Sequence, residues 1–254
     1  MGRIDLNNLD RYLIFDGGMG TMLQNAGLAA GEIPERWNIE RPEDVKKVHR
    51  AYVEAGADVV SANTFGANSH KLPADLDVES CIAAAVRLAR ESGARFVAQD
   101  IGPVGALLAP LGTLTFEEAY ELFKEQVLAG EKAGTDIYII ETMTDIYEMK
   151  AALLAVKENC DKPVIASMSY QEDGRTFLGT PPEVATYTMC CLGADAVGVN
   201  CSLGPKELYP IVEKICSVST KPVIVQANAG LPRLVDGETV YDIGPKEYAD
   251  HVEK

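Results

Sequence analysis

The chemistry this sequence offers rests mostly on cysteine and carboxylate side chains, and a few of them stand at the ends of short apolar runs. Cys201 follows Val197-Gly198-Val199-Asn200 and precedes Ser202-Leu203-Gly204-Pro205, where a helix is expected to begin. A thiol at such a junction meets the positive end of the helix dipole, which favours the thiolate, the form that ligates metals and attacks electrophiles. The same place suits an inert buried cysteine. Glu141 closes the apolar run 137–140, and burial there demands a partner: a substrate ammonium, an internal Lys or Arg, or a helix N-terminus. Asp16-Gly17-Gly18 ends the first apolar run. Its amides either lie open to a small anion such as a substrate carboxylate or close a tight turn.

Other reactive types are read differently. Cys190 and Cys191 are adjacent, as two ligands of one tetrahedral zinc can be, but they fall at the end of a predicted helix and are assigned to packing, away from any site. The six cysteines show no CxxC spacing, and in a chain of this size they are not expected to form a disulfide framework. His49, His70 and His251 lack the paired spacing of a helical zinc site. His49 and His251 are read as surface or packing residues, and His70 as a weak candidate for the site lining.

What must position these groups is a series of β-branched runs alternating with stretches of helical length, the pattern of βα units on a parallel sheet. Strands are predicted at 12–15, 58–62, 95–100, 136–141, 163–169, 196–200 and 222–227, with helices near 42–55, 78–92, 115–133, 147–159, 182–192, 205–217 and 245–254. AGAD at 55–58, AGTD at 133–136 and LGAD at 192–195 each put glycine after a helix, where a left-handed residue closes it, and then open a strand. Polar, glycine-rich segments follow the strands: DGGMGT, NTFGAN, DIGP, ETMTD, SMSYQEDG, NCSLGP and QANAG. In a β/α barrel those loops build the active site. An open doubly wound sheet is the alternative, but Asp16-Gly17-Gly18-Met19-Gly20-Thr21 does not fit its dinucleotide spacing.

Bulk properties narrow the partners. The chain has 254 residues, 47% of them hydrophobic, which suits a single domain spanning 1–254. A net charge of −15 repels phosphate backbones and anionic lipid, so neither nucleic acid nor a membrane is expected as a partner. The N-terminal MGRIDLNNLDRYLIF has no signal-peptide character, and the reading is a cytoplasmic protein.

Taken in order, DGGMGTMLQ, NTFGAN, DIGP, PLGTLTFEEAYELFKEQ, IIETMTD, GVNCSLGP and VQANAGLP resemble the homocysteine-binding domain of cobalamin-dependent methionine synthases, along nearly the whole chain. The resemblance implies a (β/α)8 TIM barrel that activates the homocysteine thiol with zinc and methylates it from methylcobalamin, carried on a separate corrinoid-binding domain or protein, giving methionine. A free thiol near a pKa of about 8.5 is mostly protonated at neutral pH, and zinc coordination yields the nucleophilic thiolate. In the family three thiolates hold the zinc, one after the sixth strand and two adjacent ones after the eighth; Cys201 matches the first. Asp16 with the amides of Gly17 and Gly18 is implied to hold the amino acid end of homocysteine, Glu141 its ammonium, and Asn228 to offer an oxygen near zinc without substrate.

The family's Gly-Gly-Cys-Cys segment has no counterpart here, so about seven βα units are expected, with zinc weak or absent. Two further readings stay open. One is an inactive homocysteine-binding fragment, and the other a related methyltransferase acting between a small donor and a corrinoid protein.

Overall fold

The computed structural model describes residues 4–230, 233–235, 238–241 and 243–253. An N-terminal segment leads through α1 (Met19–Asn25), a short 3-10 turn (Pro34–Arg36), α2 (Trp37–Glu40) and α3 (Pro42–Glu54) into β1 (Val59–Ala62). Strand and helix then alternate: α4 (Val78–Glu91), β2 (Phe96–Ile101), α5 (Phe116–Ala133), β3 (Ile137–Met143), α6 (Ile146–Asn159), β4 (Val164–Met168), α7 (Pro182–Cys191), β5 (Ala196–Asn200), α8 (Pro205–Val218) and β6 (Val223–Gln226). A hairpin, β7 (Arg233–Val235) with β8 (Glu238–Val240), precedes α9 (Pro245–Val252).

Strands β1 to β6 pair in sequence order, each parallel to the next, and curl into part of a β/α barrel with the helices outside. Six of the seven predicted strands are present as ladders. The seventh, 12–15, is reduced to a single bridge between Phe15 and Val59. The reason lies in its hydrogen bonds: the Ile14 amide goes to the Asp58 carboxylate instead of a strand partner, and the Tyr12 side chain stands 93% exposed. Helices α1 and α2 and the hairpin were not anticipated, being too short to show a hydrophobic period.

The Gly-x-Asp repeat has a structural meaning. Gly56, Gly134 and Gly193 all take positive φ, ending α3, α5 and α7. Two residues on, each aspartate accepts a backbone N–H from the neighbouring strand: Ile14 to Asp58 at 3.1 Å, Val97 to Asp136 at 2.9 Å and Val164 to Asp195 at 3.0 Å. Each is also paired with a cation, Arg11, Arg90 or Lys157 respectively. These aspartates staple the entry of one strand to its predecessor at the end of the sheet opposite the loops that follow the strands.

Two apolar layers result from the period-2 alternation along each strand. One face of the sheet, with Tyr138, Ile140, Val164, Ala166, Val197 and Val199, packs under α5 to α8. The other, with Val59, Phe96, Ala98, Ile137, Ile139, Ile165 and Ala196, forms the inner floor and is closed by Leu6, with Ile4, Leu13 and Phe15 against it.

Candidate functional site

Toward the C-terminal ends of the strands the same alternation turns polar. Beyond the apolar floor the inner positions become Ser61, Asp100, Glu141, Ser167, Asn200 and Gln226, one per strand from β1 to β6. Parallel strands bring all of them to one end, as barrel active sites require.

Asp16 joins this crown from outside the sheet. Its amide donates to Val59 O at 3.0 Å, and its carboxylate accepts the Ser61 N–H at 2.9 Å. Gly17 follows beneath Tyr52, whose hydroxyl donates to Gly18 O at 3.2 Å. A Cβ on Gly17 would stand 2.9 Å from that hydroxyl oxygen, so the end of the Tyr52 side chain would have to shift to admit one; neither Gly17 nor Gly18 takes positive φ. Gly18 is the N-cap of α1, and both glycines are exposed.

Asp16, Asp100 and Glu141 are close enough to act on one another. Burial pushes Asp16 up to about 7, and the charge of Glu141 adds to the rise. Burial likewise raises Glu141. Asp100 is held well above the carboxylate range by burial and then by Glu141, Asp16 and Glu35, with Lys71 opposing. One oxygen of Asp100, Oδ1, is buried without a hydrogen-bond partner, as is Gln226 Oε1. The internal Lys or Arg partner left open for Glu141 by the sequence is not found among the described residues, and the helix that follows is capped by Asp145. Three carboxyl groups thus converge on one space, with Lys71 acting on Asp100 and no cation paired with Glu141 among the described residues.

Cys201 sits in the turn after β5 with φ +62, and Ser202 follows with φ +63. Left-handed backbone at two successive non-glycine residues is strained and marks sites where geometry is imposed by the surroundings. Here the Cys201 N–H donates to Gln226 O at 3.0 Å, and its carbonyl accepts the Leu203 N–H at 2.7 Å. Asn228 is tied to the same turn, its N–H donating to Leu203 O at 3.0 Å. The six residues singled out from sequence, Asp16, Gly17, Gly18, Glu141, Cys201 and Asn228, therefore all lie at the same end of the sheet.

Sequence reasoning passed over Asp100, Tyr52, Thr142 and Asn200. Asp100 was detectable as the last inner-facing position of its strand. Tyr52 lies on α3, far along the chain from the glycines it supports, and no local signal marks it.

The groups set aside lie elsewhere. Cys190 and Cys191 end α7, at the far end of the sheet, with Cys190 against the outer core and Cys191 exposed. His49 is buried on α3 with neither ring nitrogen hydrogen-bonded, and burial lowers it to about 4, which fits the packing reading. His70 is exposed.

Zinc takes thiolate, imidazole or carboxylate ligands, four in a closed site and three plus an open position in a reactive one. Among the described residues no three His, Cys, Asp or Glu side chains group as such a site. Cys201 by itself supplies one donor, and the donors among the described residues do not make a zinc centre. No helix is long and apolar enough to cross a membrane among the described residues.

Comparison with known proteins shows the family and the fold. The family model for homocysteine S-methyltransferase matches residues 13–254. Methionine synthase of Mycobacterium tuberculosis (strain ATCC 25618 / H37Rv) is 33% identical over 263 residues, covering 94% of this chain and 22% of the relative. The corresponding protein of Mycobacterium leprae (strain TN) is 32% identical with the same coverage, so this chain spans 22% of the length of the curated relatives it matches. Among solved structures, the homocysteine methyltransferase MmuM from Escherichia coli aligns with a TM-score of 0.75 in its metallated form, at 21% identity, over 85% of this chain and 83% of that one. Its oxidized form gives 0.79 over 95% and 86%, also at 21% identity. At that identity the likeness shows a shared fold.

Proposed function

The chain belongs to the homocysteine S-methyltransferase family, and from that premise we propose that its carboxyl-lined crown binds homocysteine and presents the sulfur for methylation to methionine. The observation that carries this reading is the convergence of Asp16, Asp100 and Glu141, with Lys71 acting on Asp100 but no cation paired with Glu141 among the described residues. An α-amino acid brings the missing ammonium, and burial of an unpaired carboxylate is otherwise costly. Glu141 is the group assigned to the ammonium. Asp16 orients the segment whose Gly17 and Gly18 amides receive the amino acid end, and the homocysteine side chain then extends toward Cys201 and Asn228. Transfer forms a bond from sulfur to the methyl carbon, breaks the bond to the donor's leaving group and releases the thiol proton.

The methyl donor in this proposal is a methylated corrinoid carried by another domain or protein, a reading supported by the methionine synthase relatives. Zinc is the metal the family resemblance calls for, with Cys201 as one ligand. Because the described residues do not complete that ligand set, no step is assigned to the metal. The same donor count favours a second reading, a homocysteine-binding unit without metal chemistry of its own.

Calorimetric titration with homocysteine tests the proposal. Binding by the 254-residue chain is expected, and Glu141→Gln, which keeps the shape and removes the charge, should weaken it by about tenfold or more, the scale of one charge-assisted hydrogen bond. Equal affinity for the parent and Glu141→Gln would reject the role of Glu141. No binding by the parent, with or without added zinc, would reject the function.

A further inference from the structure

Asn200 is 4% exposed at the end of β5, immediately before the Cys201 turn, and every polar atom of its side chain is engaged by residues of β3 and β4. Its Oδ1 accepts the Thr142 N–H at 2.9 Å and the Ser167 hydroxyl at 2.8 Å, and its Nδ2 donates to Thr142 Oγ1 at 2.8 Å. Its own carbonyl accepts the Ser169 hydroxyl at 2.8 Å. The amide orientation is fixed, because a backbone N–H can only donate and so must face Oδ1.

Thr142 is the residue that needs holding. It sits at φ +60, a conformation β-branched residues avoid, inside the irregularity where the β3–β4 register shifts between Ile140 and Met143. Glu141 occupies the same irregularity. Bulges of this kind re-aim a side chain at the end of a strand. One buried amide therefore fixes both the kink that carries Glu141 and the base of the turn that carries Cys201, reaching across β4 to do so.

We propose that Asn200 is a positioning residue that holds Thr142 in the left-handed conformation and so fixes the placement of Glu141 relative to the Cys201 turn. This rests on the homocysteine reading of the site.

Two readouts test it. In the first, amide exchange of Thr142 is slow in the parent, and Asn200→Ala speeds exchange at residues 141–143 and 200–202 while leaving α4 to α6 unchanged. In the second, Asn200→Ala weakens homocysteine binding by about tenfold or more, since small displacements of binding groups are costly. Adding Thr142→Gly to Asn200→Ala should restore most of that affinity, because glycine adopts positive φ without a clamp. An Asn200→Ala chain with parental exchange and parental binding overturns the proposal, and so does a double variant no better than Asn200→Ala, which would mark Asn200 as structural only. Should Asn200→Ala fail to fold, Thr142→Val keeps the β-branch and removes the Nδ2 acceptor; weaker binding at an unchanged Tm supports the proposal, and parental binding overturns it. If the parent does not bind homocysteine, the functional reading fails while the exchange readout still decides whether the clamp exists.

Discussion

Three carboxyl groups at the mouth of the sheet give the site a defined response to pH. Asp16 lies near 7 because burial raises it, and Glu141 and Asp100 are raised by the same cause. At about pH 6 Asp16 and Glu141, each raised to about 7, mostly hold protons and offer little charge to an ammonium; by about pH 8 these two are mostly ionised. Homocysteine affinity should therefore rise across that interval, and binding should release protons, visible as a calorimetric heat that changes with the ionisation enthalpy of the buffer. A flat affinity profile would disconnect these carboxyls from the ligand. Stability of the unliganded chain follows the opposite sign: a carboxyl raised in the folded state binds more protons folded than unfolded, so for Asp16 and Glu141 the contribution falls as pH rises from about 4 to about 7. At this scale the sequence disclosed Glu141 and Asp16 because each ends an apolar run. It did not disclose Asn200, whose importance lies in partners 58 and 33 positions away.

At the scale of elements, the junctions between helix and strand carry more than connectivity. The Asp58 carboxylate accepts the Ile14 N–H and pairs with Arg11, and in doing so it fastens the segment that delivers Asp16 to the crown. Replacing it by alanine leaves the Ile14 amide without its protein acceptor, and because Ile14 is exposed and water can replace the bond, the loss is roughly 0.5–1.5 kcal/mol. Asp58→Ala should accordingly lower Tm, speed amide exchange at residues 13–16, and weaken homocysteine binding although it touches no ligand. Arg11→Ala should do less, since Arg11 is 57% exposed on its side of the pair and exposed ion pairs contribute little. An Asp58→Ala protein with parental exchange at 13–16 would show that the bridge at Phe15 holds the segment unaided. The repeat that announces these junctions, glycine then aspartate two residues on, was visible in sequence as a helix stop; that the aspartate reaches back to the preceding strand was not.

For the molecule as a whole, the question is how far this set of strands supplies a complete reaction centre. The six parallel strands and the Phe15 bridge bring one cysteine to the mouth, and the described residues group no further metal donors around it. A tetrahedral zinc site with a single protein thiolate is weak, because affinity accumulates from several preplaced ligands. The 254-residue chain, dialysed against zinc-free buffer, should retain well below one zinc per chain by elemental analysis, and Cys201→Ala should not lower that content much further. Retention of stoichiometric zinc that disappears in Cys201→Ala would show that the ligand set is fuller than the described donors indicate.

The sequence by itself determined the order of elements and the face each strand turns inward, because hydrophobic periodicity and glycine stops act over a few residues and leave a local trace. It also carried the family resemblance, since motifs at successive strand ends stay in register with the fold that aligns them. Tertiary structure alone decided which strand ends become neighbours, and with that three decisive features: the shared field among Asp16, Asp100 and Glu141, the reach of Asn200 across β4 to Thr142, and the reduction of the first strand to a bridge. Each depends on groups brought within a few ångströms by the parallel sheet after long separation in the chain, and electrostatic coupling and hydrogen bonding depend on that distance in space.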